Sequence, residues 1–238
     1  MKKLITTCCI ITAFAHTASA QIKLGIKLSP QLTWVTTESK GIENGSSRIN
    51  AAYGLMLDYY FTENYAFSTE LTVASFAGEL KVKDAVVTRN GNTNIPEDIN
   101  YTYRARYLSI PLIIKMRTNE IGYFRYYAEF GLDVSALVRG KADVKSSAIN
   151  LTDVNVNNPD NADDYKIESK ETPATTFDDD LAFFRTSMII GAGIKYNIFG
   201  NTLLVAGLRY NNALTNFTVE DNWKAKMNAV SLNLGVVF

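Results

Sequence analysis

The side chains that could do chemistry in this chain are carboxylates and their cationic partners, recurring at even spacings rather than inside a motif. Arg125, Glu129 and Asp133 share one parity of a single segment. Asp58, Glu70, Lys115, Arg185, Lys195 and Arg209, with Lys23 and Lys27, hold the matching parity in other segments. Paired carboxylates can do acid–base work, but no two of these acids stand out as a pair. Mixed signs on one wall suit two other roles. One is a polar lumen that selects anions, since seven of these eleven residues are basic. The other is a structural network of crossing ion pairs that fills a narrow barrel.

The remaining reactive residue types cluster at one end. The chain has two cysteines and one histidine, Cys8, Cys9 and His16, all within residues 1–20. That stretch has the layout of an export signal, with Lys2 and Lys3, an apolar run from Leu4, and a small-residue cleavage site at Ala18-Ser19-Ala20. Its apolar run is too short for a membrane-spanning helix, which needs roughly 20 residues. The expected mature domain, 21–238, therefore has no thiol nucleophile, disulfide, zinc site or histidine triad. No enzymatic activity, metal or cofactor is expected. Without Lys2 and Lys3 the balance is 22 basic against 24 acidic residues, which gives no footprint for nucleic acid.

The elements that carry the charged residues are strands. Apolar residues alternate with polar ones over eight segments, roughly 22–36, 50–61, 65–76, 102–116, 123–138, 182–196, 202–212 and 227–238. The last has Val230, Leu232, Leu234, Val236 and Phe238 on one face. Most of these segments exceed the about 9 to 11 residues that a tilted strand needs to cross hydrocarbon. Short turns at 62–64, 117–122 and 197–201 alternate with long polar loops at 37–49, 77–101, 139–181 and 213–226, with β-structure expected to continue above the membrane through 79–87 and 142–149. This wiring predicts an all-β fold, an eight-stranded antiparallel up-and-down transmembrane β-barrel with both ends on the periplasmic side.

Charge decides which face meets lipid. Phe124, Tyr126, Ala128, Phe130, Leu132, Val134 and Ala136 share one face of the fifth segment; Arg125, Glu129 and Asp133 lie on the other. A basic residue facing the bilayer midplane costs about 2–4 kcal/mol, so the charged face must point inward. Tyr59, Phe61, Tyr65, Phe67, Tyr123, Phe124, Tyr196 and Phe199 then form an aromatic girdle near the turns. Arg104 and Arg106 share the lipid-facing parity and belong above the hydrocarbon, within reach of anionic headgroups. Pro111 cannot donate a ladder hydrogen bond, which predicts a bulge in the fourth strand or a weakened seam. The alternative fold is a soluble lipocalin-like ligand-binding barrel, with the same alternation turned inside out.

Two segments carry a resemblance. Tyr107-Leu108-Ser109-Ile110-Pro111-Leu112-Ile113-Ile114-Lys115 and Gly207-Leu208-Arg209-Tyr210-Asn211-Asn212-Ala213-Leu214-Thr215-Asn216 resemble strands of the Bacteroidetes outer-membrane β-barrel family often labelled PorT-like. Members often have an acidic residue before the Ile-Pro pair, where this chain has Ser109. The resemblance implies an outer-membrane location in a Bacteroidetes-like bacterium and, through the family name, an accessory role in type IX secretion. The leading expectation is a small non-enzymatic barrel with a structural, surface-interaction or assembly role. It would be monomeric, with outer-membrane lipid as its surroundings and a protein partner reached through loops 77–101 and 139–181. The second loop has ten acidic against five basic residues, including Asp160, Asp163, Asp164 and Asp178-Asp179-Asp180. Such runs can hold calcium, although solvation alone explains most of them.

Overall fold

The computed structural model describes residues 21–37, 42–89, 92–146, 181–218 and 224–238. The candidate signal segment, with Cys8, Cys9 and His16, and the acidic residues 160–180 lie outside them. Eight strands follow in chain order: β1 (Gln21–Thr37), β2 (Ile42–Tyr60), β3 (Tyr65–Arg89), β4 (Asn92–Arg117), β5 (Phe124–Ser146), β6 (Phe184–Phe199), β7 (Thr202–Ala213) and β8 (Ala225–Val237). Each pairs antiparallel with its neighbours in sequence, and β1 pairs with β8 to close the barrel. Closure leaves no strand edge unpaired, which is what a sheet in hydrocarbon requires.

The alternation sets the two faces as charge demands. Ile22, Leu24, Ile26 and Leu28 on β1, and Phe130, Leu132 and Val134 on β5, are exposed on the outer wall. Asp58, Glu70, Lys115, Glu129 and Asp133 are buried within. A lipocalin-like arrangement needs the reverse, so that alternative is set aside. The aromatic residues from Tyr59 to Phe199 named above are all exposed on the outer wall near the turns. The turns there are tight: the Thr62 N–H donates to the Tyr65 carbonyl, and Gly122 and Gly200 have φ of 66° and 58°. Glycine adopts that left-handed region without the Cβ clash other residues meet.

The other end of the barrel is taller than the alternation predicts. The strand expected to continue through 79–87 does so, and it runs on across the segment expected as loop, because β3 and β4 remain paired through Arg89 and Asn92. At about 3.3 Å per residue, strands of 25 and 26 residues extend well beyond any bilayer core. Lys81-Val82-Lys83 alternates charged with β-branched residues and Val86-Val87-Thr88 is β-branched throughout, a composition that favours strand. Residues 42–49, also expected as loop, likewise begin β2.

Pro111 brings no bulge. The β3–β4 register runs without a shift from Thr69↔Leu112 to Thr72↔Ser109, and the ladder simply skips the proline. The β4–β5 pairing continues through Pro111↔Asp133. Register on one side is held by the other, so a single missing donor is tolerated.

Candidate functional site

The interior forms two layers. At mid-barrel, four acids and five bases interlock. Asp58 on β2 accepts hydrogen bonds from Ser68 Oγ (2.6 Å) and Lys115 Nζ (2.9 Å) on one oxygen. Its other oxygen accepts from Lys195 Nζ at 2.9 Å, and Lys195 also donates to Tyr60 Oη. Glu70 on β3 is gripped by both terminal nitrogens of Arg209, each at 2.9 Å, and by Lys27 at 2.5 Å. Arg209 uses its remaining Nε on Glu129 at 2.7 Å. A bidentate guanidinium fixes orientation as well as charge. Asp133 accepts from Ser135, whose Oγ lies 2.8 Å from Ser109 Oγ, and sits 3.5 Å from Arg185.

Of the residues picked from the sequence, Asp58, Glu70, Lys115, Glu129, Asp133, Arg185, Lys195 and Arg209 thus meet in one region. Arg125 does not join them. It lies at the turn end, bonded to Glu120 at 2.5 Å. Lys23 is there too, donating to the Asn201 carbonyl. Removing these two from the lumen leaves it close to neutral, which takes away the excess that an anion-selective channel would use.

The loop-end layer is apolar and was not foreseen. Phe76, Leu80, Tyr103, Tyr107, Leu181 and Phe217 are buried there. Phe76 meets Tyr107 edge-on at 5.9 Å, and Tyr103 meets Phe217 at 5.3 Å. Leu181 and Phe217 come from connections that fold inward, joined by the Leu181↔Thr218 bridge and the Ala182 N–H bond to Phe217. Arg185 marks the boundary: its guanidinium lies 4.3 Å from the Phe76 ring centre and donates to the Met227 carbonyl. Parity alone would have placed Phe76 and Tyr103 inside, as both follow the inward rows of β3 and β4.

Little space remains. Between the layers lies a cavity of about 30 Å³, lined by Thr72, Asp133 and Asn211, each with a buried oxygen lacking a partner among the described residues. That volume accommodates about two waters and no hydrated solute. A vestibule of about 720 Å³ opens at the turn end, lined by Lys23, Arg117 and Arg125. Among the described residues, no group of three or more acidic, histidine or cysteine side chains is arranged to hold a metal ion.

A closed eight-stranded barrel with a lipid-compatible wall and a polar interior defines a transmembrane barrel of the outer-membrane class. Residues 14–219 match the family model of the outer membrane protein beta-barrel domain, and the chain belongs to that family. Among solved structures it is similar to Neisserial surface protein A, at 13% identity over 92% of this chain and 97% of that one, TM-score 0.45. It is also similar to OprG from Pseudomonas aeruginosa, at 12% identity over 94% and 97%, TM-score 0.40. The Yersinia pestis attachment invasion locus protein Ail is similar at 13% identity over 92% and 99%, TM-score 0.37. No match was found among curated proteins.

Proposed function

We propose that this outer-membrane protein is a non-conducting, non-enzymatic barrel that carries a surface-interaction or assembly role on its loop end. The observation behind this reading is the pair of ion bridges that cross the lumen, Asp58–Lys195 and Glu70–Arg209, each at 2.9 Å. They join strands on opposite walls, β2 to β6 and β3 to β7, where a pore would need open water. Asp58, Glu70 and Glu129 are each held by cations, and the one unpartnered oxygen of Asp133 faces only the small cavity between the layers, so none meets a substrate as a general base.

With the lumen filled, the loop end is where recognition can occur. The β3–β4 hairpin stands beyond the hydrocarbon and carries the segment 77–101 proposed to contact a partner; residues 139–146 of β5, where the segment 139–181 begins, pair with it. A narrower role in type IX secretion has only the two strand motifs behind it, and both contribute to packing. Pro111 and Ser109 face the interior, while Arg209 grips Glu70.

Two measurements test the proposal. In planar bilayers the purified full chain should give no steady single-channel conductance, and a stable ohmic channel would overturn the filled lumen. The expected mature domain has no cysteine, so Asn90→Cys introduces a single label site. A membrane-impermeant maleimide should label it on intact cells. Labelling only after lysis would put the long hairpin in the periplasm and defeat the surface role.

A further inference from the structure

Four basic residues are held together on the outer wall by an irregularity in β5. The β4–β5 ladder pairs Tyr107 with Leu137 and then Arg106 with Arg139, leaving Val138 as an extra residue. A bulge of this kind re-aims the side chains beyond it. Before it, odd-numbered residues of β5 such as Asp133 and Ser135 point inward. After it, Arg139 is exposed and Gly140 is buried. Had β5 kept a regular ladder that placed Val138 opposite Arg106, then Arg139 and Lys141 would continue the interior row.

The consequence is two like-charged cross-strand pairs, Arg106 with Arg139 and Arg104 with Lys141. Like charges directly opposite one another destabilise a sheet. An anion seated between the exposed side chains would relieve that repulsion. The four side chains, with Asn50 and Ser75, line a cleft of about 280 Å³ in which no described side chain is a carboxylate. Arg104 and Lys141 engage other neighbours as well. Arg106 and Arg139 have no ion-pair partner among the described residues.

Position identifies the anion. Arg106 is two residues above Leu108 on the same row, where the lipid-facing sequence Leu108, Ile110, Leu112 and Ile114 begins. The cleft is therefore continuous with the apolar belt at the depth of headgroups, where arginine reaches from a hydrocarbon-facing row to charge. On the far wall, β1 and β7 end their belt with stacked Trp34 and Tyr210 instead. We infer that Arg104, Arg106, Arg139 and Lys141 form a binding site for the phosphorylated headgroup of a lipid in the leaflet at the loop end. Under the topology proposed above, that is the outer leaflet. Guanidinium groups suit this ligand because their forked donors match phosphate oxygens.

The test uses the full chain, exported, purified and placed in phosphatidylcholine nanodiscs containing bis-phosphorylated lipid A. Native mass spectrometry then reads the lipid retained. Wild type should hold it, and Arg106→Gln with Arg139→Gln should weaken retention at least about tenfold, as expected for losing charge-assisted bonds. Lys226→Gln, on the opposite wall, should not. Unchanged heat-dependent gel mobility shows that the double variant still folds; if it does not, Arg139→Gln alone is used. Equal retention by wild type and variant would overturn the site. So would equal retention of enzymatically dephosphorylated lipid A. Displacement by millimolar pyrophosphate at low salt would show a soluble-anion site and refute the lipid assignment.

Discussion

Asp58 on β2 and Lys195 on β6, 137 residues apart in sequence, meet at 2.9 Å across the width of the barrel. In a ring of eight strands these two are on opposite walls, so one ion pair ties the sheet across its diameter. Glu70 and Arg209 repeat the arrangement between β3 and β7. Each carboxylate also serves a second cation, Lys115 on Asp58 and Lys27 on Glu70. Truncating one member should strand several buried charges together.

Asp58→Leu leaves both Lys115 and Lys195 uncompensated, and breaking a buried pair in this way costs about 3–5 kcal/mol. The urea midpoint of the heat-modifiable folded band should fall accordingly. Replacing all three residues, as Asp58→Leu with Lys115→Leu and Lys195→Met, should recover much of the loss, because apolar side chains of similar volume can substitute for buried ion networks. An unchanged midpoint for Asp58→Leu alone would mean that the bridge is not formed in the membrane.

Ser109 stands where relatives of the resembled family often have an acid. Here its hydroxyl meets Ser135 Oγ at 2.8 Å, and Ser135 donates to Asp133 at 2.9 Å. A second carboxylate at 109 would face Asp133 across this short relay, and the two acids would have to share Arg185 of β6, which sits beside Ser135 and already lies 3.5 Å from Asp133. Ser109→Asp should therefore destabilise the barrel, and Ser109→Ala should cost only about 1 kcal/mol for the lost bond. Equal urea midpoints for the two variants would show that position 109 tolerates charge.

The period-two alternation showed the strand count, the closure and the inward row of charges, because lipid outside and charge inside leave only one energetically acceptable facing. Other features are not periodic and so left no pattern to read. The single extra residue at Val138 is invisible, since the sequence alternates on both sides of it. Partners across the lumen depend on strand stagger, which alternation does not encode; Asp58 could have met any cation at its level. The loop-end core depends on Leu181 and Phe217, which come from connections with no period at all. Within 77–101 only 79–87 read as strand, because charges, asparagines and Pro96 fill the rest, yet the β3–β4 pairing carries on to Arg89 and Asn92.

Tyr127 occupies a hollow made by a cross-strand glycine pair. Gly193 and Gly207 face each other on β6 and β7, and a Cβ at either position would run into the Tyr127 side chain. Gly207→Ala should cost about 1–3 kcal/mol, the usual price of overpacking. The nearest obstruction is the tyrosine hydroxyl, so Tyr127→Phe should restore part of the stability of Gly207→Ala. Rescue stops short of complete, because the Ala192 carbonyl oxygen lies 2.9 Å from the same added carbon. Strictly additive losses in the double variant would show that the two sites do not touch.

Above the hydrocarbon, Glu79 on β3 pairs with Arg48 on β2 and accepts the Ser46 N–H at 3.4 Å. Partial burial pushes its carboxyl up, but the hydrogen bond and charge of Arg48 outweigh that and hold it below its ordinary value of 4.5. A carboxylate whose folded value is depressed contributes stability above its unfolded value, and the contribution disappears as pH falls through the folded one. The pair should therefore support the β2–β3 extension at neutral pH and release it only below the usual carboxylate range. Arg48 is 44% exposed, so solvent screening keeps the contribution under about 1 kcal/mol. Carbon-detected NMR of the labelled protein in nanodiscs should find the Glu79 titration shifted upward in Arg48→Gln. A titration at the same pH in both proteins would mean that the ion pair does not persist in solution.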